Sequence, residues 1–299
     1  MKFTEHALCF SCAGDELVGI VSTPEVPKPV GVLVLVGGPQ YRVGSHRQFL
    51  LLAWALSEAG FPVMRFDYRG MGDSTGDLRD FETVNDDIAA AIGVFRQQCP
   101  DVAKIVLWGL CDAASASLIY WDAKHDQRIT GLVLLNPWVR SEASLAKTHI
   151  KHYYGQRLFQ ADFWRKLLSG RVGVSSALMG LLKSWRRARQ TDTVKYTQVS
   201  PFQTRMMQAL GVFPGEVLLI LSGDDYTAKE FLEAFQADPA GARALAGDRL
   251  TRVDLEQADH TFSSPTKRIA VQDATIAWIN NAWQPENRSN HRVPRILGV

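Results

Sequence analysis

Short apolar runs rich in β-branched residues recur along the chain, and helical patterns separate several of them. The runs are GVLVLVG (31–37), FPVMRFD (61–67), KIVLWG (104–109), ITGLVLLN (129–136), EVLLILSG (216–223) and RLTRVDLEQ (249–257). Runs of this kind suit strands buried on both faces of a parallel sheet. Between them, Phe81, Val84, Ile88, Ile92 and Phe95 recur every three or four residues, and QFLLLAWALSEAG (48–60) is a second helical stretch that stops at Gly60. Strand and helix in alternation predict an α/β fold: a mostly parallel, doubly wound sheet with right-handed crossovers. ALCFSCAGDELVGIVSTP (7–24) reads as two strands around Gly14-Asp15, an antiparallel edge.

One interval breaks the rhythm. From Arg140 to Gly215 the strand alternation stops, too long for a plain connection, which predicts a helical lid inserted into the core. The domains expected are therefore a core from 1–139 and 216–283, a lid at 140–215 and a loose tail at 284–299. The lid is basic, with 13 Lys and Arg against 3 Asp and Glu, concentrated in SALMGLLKSWRRARQ (176–190). The whole chain carries a formal charge of only +2 and is 46% hydrophobic, which points away from a nucleic-acid binder and from a disordered chain. No charged and then apolar leader opens the sequence and no apolar run is long enough to span a bilayer, so a cytoplasmic location is expected. Four cysteines, Cys9, Cys12, Cys99 and Cys111, do not make a disulfide framework. Cys9 and Cys12 lack the second Cys or His pair of a zinc site and read as strand residues; no metal and no cofactor are expected. Gly37-Gly38 and Gly70-x-Gly72 are not dinucleotide fingerprints either.

The chemistry concentrates in IVLWGLCDAA (105–114). A buried strand, one residue on a sharp turn and then a helix form a nucleophile elbow, and small residues at Gly109 and Ala113 let the two backbones nearly touch. Cys111 then sits at the carboxyl edge of the sheet, near the positive end of the following helix, which favours thiolate. A base should follow the last strand, and His260 in LEQADHTFSSP does so. An orienting acid should end the strand before, where Asp224 and Asp225 both stand; Asp225 adjoins the start of the helix-like TAKEFLEAF. An oxyanion would take one N–H from Asp112. The second would come from the loop Gly37-Gly38-Pro39-Gln40-Tyr41, from Gln40 or from Tyr41, because proline has no N–H. Gly38 and Tyr41 of the same loop are expected against substrate. RFDYRGMGDSTG (65–76) is read as a loop buttressing the site.

Together, GGPQYRVGSHRQF, MRFDYRGMGDSTG, GLCDAA, SGDDYTAKEF and ADHTFSS resemble the α/β-hydrolase superfamily. More narrowly they resemble the exosortase A system-associated hydrolase type 1 family, found in bacterial clusters for exopolysaccharide production and protein sorting. The resemblance runs from about Leu8 to Trp283 and implies Cys111 as nucleophile, Asp225 as acid and His260 as base. Cysteine stands where the superfamily commonly has serine, and Gly37-Gly38-Pro39 replaces the usual His-Gly start of the oxyanion loop.

A cysteine nucleophile makes an acyl-thioester, so thioesters and activated esters are the expected small-molecule donors, and a thioesterase or esterase the expected enzyme. The basic lid suits an anionic carrier of the acyl group. Two other outcomes are consistent with the sequence: acyl transfer to a sugar hydroxyl, and a non-catalytic module whose basic amphipathic segment docks on a membrane or a partner.

Overall fold

The computed structural model describes residues 2–38, 40–140 and 201–283. Eight strands form one sheet: β1 (Phe3–Cys12), β2 (Asp15–Pro24), β3 (Val30–Leu35), β4 (Val63–Phe66), β5 (Lys104–Leu110), β6 (Ile129–Leu135), β7 (Glu216–Ser222) and β8 (Leu250–Leu255). Their order is β1-β2-β4-β3-β5-β6-β7-β8. β1 with β2 and β2 with β4 are antiparallel; every other neighbouring pair is parallel. The described helices are α1 (Gln48–Glu58), α2 (Asn85–Gln98), α3 (Asp112–Lys124), α4 (Pro201–Val212), α5 (Tyr226–Ala237), α6 (Pro239–Leu245) and α7 (Pro265–Ala282), with a 3₁₀ turn at Ser45–Arg47.

Each apolar run became a strand, and the hairpin turns at Ala13 and Gly14, both left-handed at φ 51° and 92°. The central strands are buried on both faces, since every residue of β3 and β4 is inside. β8 differs. As an edge strand it alternates half-buried and exposed positions, with Arg252 and Asp254 paired at the surface. The helix predicted from Phe81 begins only at Asn85, because a turn held by the Asp80 carboxylate, which accepts from Glu82 N and Thr83 Oγ1, occupies the preceding residues.

Adjacent residues of β5 show that helices cover both faces. Trp108 meets the Phe49 ring of α1 edge-on at 5.8 Å, whereas Gly109 abuts the Ala113 backbone of α3. Successive strand residues point to opposite faces, so α1 and α3 lie on opposite sides. α7 packs with α1, and α2 packs with α3.

Residues up to Val139 and from Arg205 to Trp283 belong to one compact unit. The segment expected as a lid, 140–215, is described only at Arg140 and from 201 onward. From Arg205 it is part of the core unit, earlier than the boundary read from the sequence. Arg205 Nε donates to Asp122 at 2.8 Å, and Phe213 meets the Trp121 ring at 5.3 Å. The basic stretch 176–190 and the tail 284–299 lie outside the described residues. No described helix is long and apolar enough to cross a membrane.

Candidate active site

Cys111 occupies the turn between β5 and α3 with φ 62° and ψ −124°, a left-handed conformation that costs a non-glycine residue about 1–3 kcal/mol. Its surroundings hold it there. Cys111 N donates to Leu135 O at 2.8 Å, and Cys111 O accepts from Trp138 N at 3.2 Å and from Ala114 N at 3.1 Å. Ser115 Oγ donates to Trp138 O at 2.7 Å and closes the ring of contacts. Gly109 is obligatory two residues before the turn, since a Cβ there would stand 2.6 Å from the Ala113 carbonyl. The thiol is half-buried, unlike exposed Cys9 and buried Cys12 and Cys99. Three positions apart on one strand, Cys9 and Cys12 point to opposite faces and cannot converge. Burial, then the Asp87 charge, pushes the Cys12 thiol up to about 11.

His260 follows β8 in a loop built by Asp259, whose carboxylate accepts from Thr261 N at 3.0 Å, Ser263 N at 2.9 Å and Ser263 Oγ. Its Nδ1 lies 2.8 Å from Asp225 Oδ2. Asp225 is the N-cap of α5, accepting from Thr227 N at 3.0 Å and Ala228 N at 3.4 Å, so one carboxylate starts the helix and holds the imidazole. Asp224 is exposed, and its N–H donates to Ala258 O. The imidazole is pushed up to about 10, first by the hydrogen bond to Asp225 and next by one to Cys111, against partial burial. Burial alone would raise the Asp225 carboxyl, but His260 and the two N–H groups outweigh it and hold it below the usual carboxylate range. Asp225 and His260 are thus joined by a hydrogen bond, with Cys111 near enough to the imidazole to raise it further.

The oxyanion loop departs from the sequence reading. Gln40 N donates to Gly38 O at 2.8 Å and its side-chain oxygen accepts from Ser45 N at 3.0 Å, so Gln40 is committed within its own loop. Gly38 N instead points at α3 and donates to Asp112 Oδ1 at 2.7 Å. Gly37 permits this approach, since a Cβ on it would stand 2.4 Å from both Leu110 O and Asp112 Oδ1. Tyr41 carries an exposed ring, with the Arg42 guanidinium 5.9 Å from its centroid. The buttressing loop behaves as expected: fully buried Asp67 accepts from Arg42 N at 2.6 Å, from the Arg42 guanidinium and from Asp73 N, tying the loops after β3 and β4 together.

Sequence reasoning missed Asn136. It ends β6 in left-handed conformation at φ 42° and is fully buried. Its Nδ2 donates to Ser222 Oγ at 2.7 Å and to His260 O at 3.1 Å, and its Oδ1 accepts from Ser222 N at 2.9 Å. Ser222 Oγ in turn donates to Asp259 O at 2.9 Å. The signal available was Asn-Pro at a strand's carboxyl end. A cavity of about 200 Å³ bordered by Phe213, Arg243 and Arg249 lies near the starts of β7 and β8, away from all of these residues.

Known proteins share this architecture. The Pyrococcus furiosus esterase Pf2001 superposes with a TM-score of 0.63 at 14% identity, covering 94% of each chain. XC6422 from Xanthomonas campestris, described as an α/β serine hydrolase without lid, superposes with a TM-score of 0.56 at 18% identity, covering 95% of this chain and 97% of that one. At such identities the likeness shows the fold alone. An uncharacterized 31.7 kDa Escherichia coli protein from the traX-finO intergenic region is 34% identical over 138 residues, 44% of each chain. The chain spans less than half the length of the curated relatives it matches. Residues 27–206, more than half of the chain, match the hydrolase family described as serine aminopeptidase, S33, and the chain belongs to that family of α/β-hydrolases.

Proposed function

We propose that the protein is an acyl hydrolase whose nucleophile is Cys111, with His260 as general base and acid and Asp225 as the group that orients the imidazole. The observation that supports this reading is the 2.8 Å contact between His260 Nδ1 and the Asp225 carboxylate, with Cys111 on the elbow turn and close enough to raise the same ring. Cys111 and His260 share one proton, which the imidazole, raised to about 10, holds as Sγ attacks the acyl carbonyl carbon. The carbonyl oxygen becomes an oxyanion held by the N–H groups of Asp112 and Gly38. The leaving group departs with the proton from His260 and leaves an acyl-Cys111 thioester. Water then gives a proton to His260, its oxygen attacks the acyl carbon, and the Cys111 sulfur departs as the acid is released, with the shared proton left on the imidazole.

In this reading Gly38 takes the second donor role, which the sequence left between Gln40 and Tyr41, because its N–H is directed at the start of α3. The cysteine favours thioester substrates: exchange of one thioester for another is nearly balanced in energy, whereas forming a thioester from an alkyl ester runs uphill. The relatives with this fold are named as serine hydrolase and esterase, so the cysteine sets this chain's substrate class apart.

The test pairs labelling with turnover. Iodoacetamide near neutral pH should alkylate Cys111 ahead of Cys9, Cys12 and Cys99, and His260→Ala should remove that preference. Acyl thioesters should turn over faster than matched oxygen esters, and Cys111→Ala should abolish both activities. Equal labelling of Cys9 and Cys111, with turnover surviving in Cys111→Ala, refutes the assignment.

A further inference from the structure

The cradle that would hold an oxyanion is occupied by the protein's own carboxylate. Asp112 Oδ1 accepts from Gly38 N at 2.7 Å, and the Gly38, Ala113 and Asp112 N–H groups offset part of the rise that burial imposes on the same carboxyl. These donors belong to the loop after β3 and to the first turn of α3, where an acyl oxyanion would seek its two N–H groups. A carboxylate oxygen is negatively charged and accepts hydrogen bonds only, as the tetrahedral oxyanion does. Asp112 is therefore a built-in mimic of the reaction's charged intermediate.

A second observation concerns where that carboxylate could go. Tyr68, in the loop after β4, is 3% exposed, and its hydroxyl is buried without a hydrogen-bond partner. Burial raises the phenol well above its usual range, and the Asp112 charge is the next largest cause. The orphaned donor thus lies within the electrostatic reach of the carboxylate that blocks the cradle. A buried hydroxyl with no partner destabilises the fold, and an acceptor arriving from the cradle would relieve that cost.

We propose that Asp112 gates the oxyanion cradle, with its carboxylate resting on the Gly38 N–H in the free protein and turning to the Tyr68 hydroxyl when an acyl carbonyl enters. The inference rests on the acyl-cysteine reading above. The consequence is a site whose turnover is held down by a group it carries itself. Substrate must displace a charge-assisted hydrogen bond, which is about twice as strong as a neutral one. Removing the carboxylate frees the Gly38 donor for the substrate.

Three measurements separate the contact, its consequence and the underlying reading. In protein labelled with ¹⁵N-glycine, the Gly38 amide proton should resonate downfield and move upfield in Asp112→Ala; an unchanged resonance overturns the occupied cradle. With an acyl thioester of N-acetylcysteamine, kcat/KM should rise on the order of tenfold in Asp112→Ala, and less in Asp112→Asn, which keeps a neutral acceptor of the same shape. Asp112→Asn preserves the geometry and gives the same direction if the alanine variant does not fold. Tyr68→Phe should lower kcat/KM in the parent protein and leave it unchanged in the Asp112→Ala background. A purely structural role for the phenol predicts the same change in both backgrounds, and that result overturns the gate. His260-dependent alkylation of Cys111 is measured in every variant. If that labelling persists while Asp112→Ala and Asp112→Asn slow turnover, the gate is wrong and the acyl-cysteine reading stands. If the labelling preference is absent in the parent protein, the acyl-cysteine reading fails instead.

Discussion

Replacing Asn136 with alanine should destabilise the protein by about 5 kcal/mol and disturb His260 without contacting its ring. Three hydrogen bonds disappear: Nδ2 to Ser222 Oγ at 2.7 Å, Nδ2 to His260 O at 3.1 Å and Ser222 N to Oδ1 at 2.9 Å. The Ser222 N–H is then left in a site 4% exposed, and an unsatisfied buried donor costs about 1–3 kcal/mol. The two bonds made by Nδ2 add about 1 kcal/mol each. Alanine must also adopt φ 42°, where asparagine is tolerated and other residues lose about 1 kcal/mol. For a core of this size the total lowers the melting midpoint by roughly 15 °C at about 2–4 °C per kcal/mol. Urea unfolding followed by circular dichroism and by tryptophan fluorescence would measure the loss, with coincident transitions justifying a two-state fit. Because the His260 carbonyl loses its anchor, Cys111 alkylation near neutral pH should slow as well. A loss below about 1 kcal/mol with alkylation unchanged would refute the claim that this network positions the histidine loop.

Other substitutions probe the remaining contacts. Gly109→Val should fail to give soluble protein, or melt far below the parent, because even a Cβ stands 2.6 Å from the Ala113 carbonyl; a parent-like melting curve would contradict that packing. Arg69→Ala strands fully buried Asp87, whose carboxylate accepts from Arg69 Nε at 2.7 Å, and should cost about 3–5 kcal/mol in urea unfolding. Asp225→Ala removes an N-cap worth about 1 kcal/mol and the imidazole's first partner, so unfolding should shift modestly while Cys111 alkylation falls steeply. The imidazole, raised from 6.5 to about 10, lends the fold stability that is complete below pH 6.5 and fades as pH climbs toward 10. The melting midpoint should therefore decline across that window in the parent and decline less in His260→Gln.

Elements whose residues face one environment throughout were legible in the sequence. β3, β5, β6 and β7 are buried almost end to end, so an unbroken apolar run marked each of them. The elbow was legible for a different reason: the close approach of β5 and α3 demands small residues at Gly109 and Ala113, and that demand is written in the local string. The start of α2 was not, because Phe81 and Val84 continue a helical spacing through a turn fixed by one carboxylate, Asp80. Nor was the proposed second oxyanion donor, which depends on which N–H of a tight loop is already spent on a neighbour. Gln40 N bonds Gly38 O, a contact two residues long that no periodicity reports. Asn136 escaped because its partners lie at Ser222 and His260, on other strand ends. The Gly38–Asp112 contact escaped because Asp112 reads equally well as an ordinary acidic residue in a first helical turn.

The meeting of residues 111, 225 and 260 follows from the register of the sheet. Leu110 pairs with Leu135, Leu135 with Ile220, and Ser222 with Leu255, so β5 through β8 end at nearly one level. Chain leaving those ends delivers Cys111 at once, Asn136 at once, Asp225 after a short turn and His260 after a slightly longer one. The side chains inside the sheet enforce the level. A slip of β5 by one residue would turn Trp108 toward α3 and Gly109 toward α1, driving an indole into the space where strand and helix backbones touch. The bulk of Trp108 and the absence of a side chain at Gly109 therefore lock the register from opposite faces. Residues that never approach the reacting atoms thus set the position of the thiol relative to the imidazole. Substitutions that exchange large and small residues along β5 should abolish Cys111 reactivity even where the fold survives.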